Sequence, residues 1–111
     1  KIALGTDFPV EKVNPLLTFH SAVARKDVDG NPSEGFLKEN ALTRKEALKG
    51  MTIWAAYSNF EDSFKGSIEK GKFADFVILT KDIMKVPEQE ITSAEVVATV
   101  VNGSIVFQKF N

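Results

Sequence analysis

The stretch Ile2-Ala3-Leu4-Gly5-Thr6-Asp7-Phe8-Pro9 sets the reading of this chain, because a short apolar run there delivers a carboxylate into a turn. Ile2, Ala3 and Leu4 read as a strand, Gly5 relaxes the backbone, and Pro9, which lacks an N–H, cannot extend a ladder. Asp7 is thereby predicted where a strand gives way to a loop. In a barrel or an open α/β sheet that is where catalytic groups are mounted, the strand fixing position and the loop giving access. Taken locally, the same residues also read as a plain turn whose Asp carboxylate accepts a backbone N–H.

Downstream the pattern becomes helical. Asn14 is a good N-cap and Pro15 suits the first helical position, where its missing N–H is not needed. Leu16, Phe19, Ala22 and Val23 recur at three- and four-residue spacing, predicting one apolar face and a helix ending near Lys26. Asp27 to Asn40 is rich in Asp, Asn, Gly and Pro and reads as a surface loop, either a solvated connection or a rim over a pocket. Thr43 to Glu46 forms a capping-box pattern. Ala47, Leu48, Met51, Trp54 and Ala55 continue it as an apolar stripe through Tyr57, with Trp54 and Tyr57 expected in the core. Gly50 interrupts that stripe at about 1 kcal/mol relative to Ala, which predicts a close packing contact at that point.

After a turn-rich stretch from Ser58 to Lys65, the periodicity changes to that of strands. Ile68 precedes a Glu69-Lys70-Gly71-Lys72 turn, and Phe73 to Leu79 read as a mostly buried strand. Asp75 stands out in that run; it is either a catalytic carboxylate or one that binds backbone amides of the preceding turn. Val96 to Val101 and Ile105 to Phe107 flank Asn102-Gly103, the strongest short-range hairpin signal in the chain.

These pieces, GTDFPVE at 5–11, NPLLTFHSAVAR at 14–25, LTRKEALKGMTIWAAY at 42–57, KGSIEKGKFADFVIL at 65–79 and VVATVVNGSIVF at 96–107, together span nearly the whole chain. They resemble the C-terminal end of the amidohydrolase superfamily of metal-dependent hydrolases, in the branch that includes N-substituted formamide deformylases. The KGSIEKGKFADFVIL piece carries most of the resemblance, and it marks the superfamily rather than a substrate. The fold class it implies is α/β: residues 1–57 as the last strand and helices of a (β/α)8 TIM barrel, followed by residues 58–111 as the C-terminal strands of a small composite β-sandwich.

Size qualifies that expectation. A (β/α)8 barrel takes roughly 250 residues, and this chain has 111, so the reading is a fragment of a longer enzyme. The resemblance implies hydrolysis of an amide or another non-peptide C–N bond in a small molecule by a metal-activated water. It places Asp7 both as a metal ligand and as the catalytic carboxylate that accepts the water's proton. The cofactor would be a divalent metal, zinc being expected, with its other ligands on earlier strands; this fragment alone is expected to be inactive and to hold no metal tightly.

Composition excludes other classes. With 43% hydrophobic and 26% charged residues the chain is an ordinary globular sequence. A formal net charge of -1 leaves no basic footprint for nucleic acid or a polybasic membrane anchor. No run approaches the roughly 20 apolar residues that span a bilayer. The absence of cysteine excludes disulfides and thiolate metal sites. Compartment is not encoded in these residues, and a cytoplasmic location is the default expectation.

His20, the only histidine, has no partner at metal-ligand spacing and reads as a surface or satisfied structural residue. Arg25 either meets an acidic substrate group or complements a helix C-terminus. A different class of function stays open beside the enzyme: a truncated relative or a β-rich, non-catalytic interaction module. Under either, a chain lacking the rest of its barrel and sandwich exposes a sheet edge and apolar faces, so a homo-oligomer is expected.

Overall fold

Asn14 opens the first helix, α1 (Pro15–Ala24), its side-chain oxygen accepting the Leu16 amide at 3.0 Å with Pro15 following at once. The computed structural model describes residues 1–109, so the last two positions of the predicted 58–111 segment lie outside the described residues. The helix stops at Arg25, which takes a left-handed conformation and donates its amide to the Ser21 carbonyl. Leu16, Phe19 and Val23 are buried on the predicted face, with Ala22 packed at its margin.

The 27–40 loop is more ordered than its composition suggests. Asp27 Oδ1 accepts the amides of Asp29 and Asn31 at 2.9 and 2.8 Å, folding the segment back on itself. A short 3-10 helix (Lys38–Asn40) follows. Lys38 Nζ then reaches the carbonyls of Val23 and Ala24 at 3.0 and 3.2 Å, supplying donors to the otherwise unpaired C-terminal end of α1.

The capping box at Thr43 is present in both directions, Thr43 Oγ1 accepting the Glu46 amide and Glu46 Oε2 accepting the Thr43 amide. The single helix expected from there to Tyr57 is instead two: α2 (Arg44–Met51) and α3 (Ile53–Ser58). Thr52 breaks them at φ -127° and ψ -98°, its hydroxyl bonded to the Leu48 carbonyl at 2.7 Å. Tyr57 is 50% exposed, with the Lys1 ammonium 3.6 Å from its ring centre, and Trp54 is only partly buried, which corrects the expectation that both lie in the core.

Three strands, β1 (Phe76–Leu79), β2 (Val96–Val101) and β3 (Ser104–Gln108), form one antiparallel sheet in the order β1-β2-β3. Phe76 faces Val100, and Thr99 faces Phe107. Asn102 and Gly103 turn the hairpin with φ of 49° and 77°, the doubly positive combination that a tight two-residue hairpin requires. The strand predicted over 73–79 is shorter than expected and is not buried. Phe76, Val77 and Ile78 are 37, 54 and 49% exposed, because β1 is an edge strand whose side chains lack a full second layer among the described residues.

Burial concentrates elsewhere. Leu16, Phe19 and Val23 of α1 and Ala47 of α2 pack with Ile83, Ile91 and Ala94 from the β1–β2 connection, which contains a second 3-10 helix (Glu88–Ser93). Leu79 joins the sheet to this cluster, and Arg44 Nη1 bonds the Ile83 carbonyl at 2.7 Å. The core therefore draws on residues from both the 1–57 and the 58–111 segments.

Candidate functional site

Ile2 to Leu4 do not form the strand expected of them, since no described strand lies beside them to complete a ladder. The segment is held by a helix instead. Leu4 N–H donates to the Gly50 carbonyl at 3.0 Å, and a Cβ on Gly50 would stand 2.9 Å from Leu4 Cγ and 3.0 Å from the Ile2 carbonyl oxygen. The close packing contact predicted at Gly50 is thus with the backbone that leads to Asp7.

Asp7 follows three residues later with φ 54°, a left-handed conformation that Asp tolerates better than most side chains. Its backbone carbonyl accepts the amides of Val10 at 2.9 Å and Glu11 at 3.4 Å, so the main chain closes the turn. The carboxylate is exposed, and no hydrogen bond or ion pair engages it among the described residues. This departs from the plain-turn arrangement, in which the side chain itself would accept an amide. Residues in sparsely populated backbone regions concentrate at functional sites, and Asp7 is one of five non-glycine residues with positive φ among those described.

One carboxylate does not hold a metal. No group of three or more His, Cys, Asp or Glu side chains stands together among the described residues, and a catalytic zinc takes about three protein ligands. The Asp7 turn does not by itself fit such an ion.

The remaining candidates have structural partners. Asp75 Oδ1 accepts the Asn102 amide at 2.7 Å, and the Ala74 carbonyl accepts the Gly103 amide at 3.1 Å. The amide that Asp75 binds belongs to the distant hairpin and not to the preceding turn, which corrects that detail of the expectation. Arg25 Nε donates to the Phe36 carbonyl at 2.9 Å, with the guanidinium 5.8 Å from the Phe36 ring centre, fastening the loop to α1.

His20 is 5% exposed, so it is a buried histidine and not a surface one. Burial lowers its pKa below the usual 6.5; Glu88 opposes this, Lys26 adds to it, and Asp27 and Lys38 act in smaller, opposite senses. In the sequence, His20 is weighed only against metal-ligand spacing, although it lies four residues after Leu16 and three before Val23, the spacing of the apolar face.

A groove of about 910 Å³ runs between α2, α3 and β1 and is walled by Leu48, Met51, Ile53, Ala55, Phe76 and Val77. No residue of the Asp7 turn borders it. It is an apolar concavity between the helices and an open sheet edge.

Residues 1–107 match the sequence profile of the amidohydrolase family. The chain belongs to that family. It is 33% identical over 105 residues to the amidohydrolase YtcJ of Bacillus subtilis, covering 95% of this chain and 20% of that protein. It is 31% identical over 109 residues to the N-substituted formamide deformylase of Arthrobacter pascens, covering 98% of this chain and 20% of that one. Protein LONG AFTER FAR-RED 3 of Arabidopsis thaliana is 36% identical over 102 residues, which are 92% of this chain and 17% of the plant protein. The chain thus spans about a fifth of the length of the curated relatives it matches. No solved structure matches it at comparable significance. Among the described residues no helix is long and apolar enough to cross a membrane.

Proposed function

We propose that this chain is the C-terminal part of a longer metal-dependent amidohydrolase that cleaves amide or other non-peptide C–N bonds in small molecules. In this reading residues 1–57 contribute the last strand and helices of a (β/α)8 barrel, and residues 58–111 contribute strands to a β-sandwich. Isolated, the chain is inactive and self-associates through the faces that the rest of the parent would cover.

The observation that carries the reading is the unengaged carboxylate of Asp7, set in a left-handed turn inside the family-matched span. A divalent cation, zinc in this proposal, would lower the pKa of its water to about 7 and so make a nucleophile available at neutral pH. Its other ligands would come from earlier parts of the parent. Asp7 would contribute one carboxylate to that centre, accept a proton from the attacking water and return it to the leaving nitrogen. Positioned acid–base transfer of this kind contributes roughly 100- to 10,000-fold.

The support for Asp7 is local. A carboxylate that accepts an amide of its own turn has part of its acceptor capacity taken up, and this one has all of it available among the described residues. The name of the Arthrobacter relative directs the first assay toward N-substituted formamides. The test is hydrolysis of a panel of N-substituted formamides and simple amides by the full-length parent, before and after removal of metal by a chelator. Amine release that disappears on chelation and returns with zinc is expected. A parent with no hydrolytic activity on any C–N bond when loaded with zinc, manganese or iron would favour the interaction module.

A further inference from the structure

His20 presents a puzzle independent of Asp7. Its ring is 5% exposed, yet no hydrogen bond engages it among the described residues. A neutral imidazole carries one donor and one acceptor nitrogen, and burying either without a partner costs stability. Every fully buried side-chain nitrogen or oxygen among the described residues does have a partner, so the His20 nitrogens retain some access, and the residue lines a cavity.

That cavity has a volume of about 160 Å³ and lies between α1, the loop after it, and the second 3-10 helix. Lys26 and Asp29 border it from the loop, and Glu88, Gln89 and Thr92 from the 3-10 helix. It exceeds the space of a single water, which occupies about 30 Å³ in the liquid.

The charges around it are not all spent. Glu88 is paired with Lys38 at 3.3 Å, and Lys38 is further held by the carbonyls at the end of α1. Lys26 and Asp29 have no ion-pair partner within 4.0 Å among the described residues, including each other. The side chains of Gln89 and Thr92 likewise make no hydrogen bond there. One cation, one anion and three neutral polar groups are therefore left to face a common small space.

We propose that this cavity binds a small zwitterion, a compound such as a free amino acid that carries a carboxylate and an ammonium group one or two carbons apart. Lys26 and the His20 N–H meet the carboxylate, with the Thr92 hydroxyl or Gln89 amide as a further donor. Asp29 meets the ammonium. A ligand bearing only one of the two charges leaves either Lys26 or Asp29 uncompensated, which is the basis of discrimination. Burial keeps His20 neutral near pH 7 against the opposing pull of Glu88 and Asp27, with Lys26 and Lys38 reinforcing it. A carboxylate beside the ring adds negative charge and raises its pKa.

The experiment follows the single imidazole signal of this chain by proton NMR while glycine, β-alanine, acetate and ethylammonium are each added. Glycine or β-alanine should shift the His20 resonance saturably at or below about 10 mM, with acetate and ethylammonium about tenfold weaker or worse. The His20 pKa should rise in the saturated state. Lys26→Ala and Asp29→Ala, both surface changes whose fold is checked by circular dichroism, should each weaken the zwitterion by about tenfold. No saturable shift with either zwitterion, equal binding of acetate, or unchanged binding in both folded variants would overturn the proposal.

Discussion

The amide of Leu4 donates to the carbonyl of Gly50 at 3.0 Å, so the backbone leading to Asp7 is suspended from α2. An interior helical carbonyl ordinarily serves only its own helix. Gly50 lies in the last turn, where carbonyls lose their intrahelical donors, and its missing side chain lets another segment approach.

Replacing Gly50 by Ala should therefore destabilise the chain even though Ala is the better helix former. Helix propensity favours Ala by about 1 kcal/mol. The new methyl would meet Leu4 Cγ at 2.9 Å and the Ile2 carbonyl oxygen at 3.0 Å, and overpacking of that kind costs about 1–3 kcal/mol. Urea denaturation should show a lower midpoint, and amide exchange at Leu4 should accelerate. A higher midpoint with Leu4 exchange unchanged would mean the contact yields without cost.

Thr43→Ala removes the hydroxyl half of the capping box, leaving the residue-43 amide still bonded to Glu46, and should cost about 0.5–2 kcal/mol. The Thr43 hydroxyl and amide hold the Glu46 carboxylate below its usual pKa of 4.5. Its stabilising contribution is therefore present above pH 4.5 and declines as pH falls through the folded-state value. The variant should lose the share of that acid dependence due to the hydroxyl, the larger of the two causes, and keep the share due to the amide, which thermal melts across the range would reveal as a flatter profile.

His20 adds a pH dependence at a higher window. Burial, the leading cause, lowers its folded-state pKa below 6.5, so acidification protonates the unfolded chain first. Stability should fall as pH drops through 6.5 and level off, for this group, below the folded-state pKa. Urea midpoints at about pH 7.5 and about pH 5.5 should differ in wild type and converge in His20→Gln. An unchanged slope in a folded variant would assign the dependence to other groups.

Self-association should run through the open sheet. Val77, Ile105 and Val106 are 54, 62 and 61% exposed, and an uncovered edge with apolar side chains invites pairing with another copy. Light scattering at micromolar concentration should give a mass above 12.2 kDa, and Val106→Lys should reduce it. A folded 12.2 kDa monomer would contradict this.

Local chemistry made much of the fold legible before any coordinates. Asn14-Pro15, Thr43 with Glu46, and Asn102-Gly103 act through groups a few residues apart, and each occupies its predicted role. The failures are non-local. Thr52 ends α2 although nothing in its neighbours forbids a helix, and Ile2 to Leu4 form no strand because a strand needs partners. Burial of Phe76 to Ile78 likewise depends on a second layer and not on their own apolarity. The candidate site divides in the same way: the turn at Asp7 follows from Gly5 and Pro9, whereas its attachment to Gly50 was visible only as a glycine in an otherwise good helix.

The most direct measurement is turnover of the full-length parent carrying Asp7→Asn, with folding and metal content verified. The substitution keeps the shape of the side chain and removes the proton acceptor. The account predicts near-unchanged stability and a loss of at least roughly 100-fold in kcat, the lower end of acid–base contributions. An Asn variant that retains its metal and turns over within a few-fold of the parent would contradict it, leaving Asp7 as a turn residue alone.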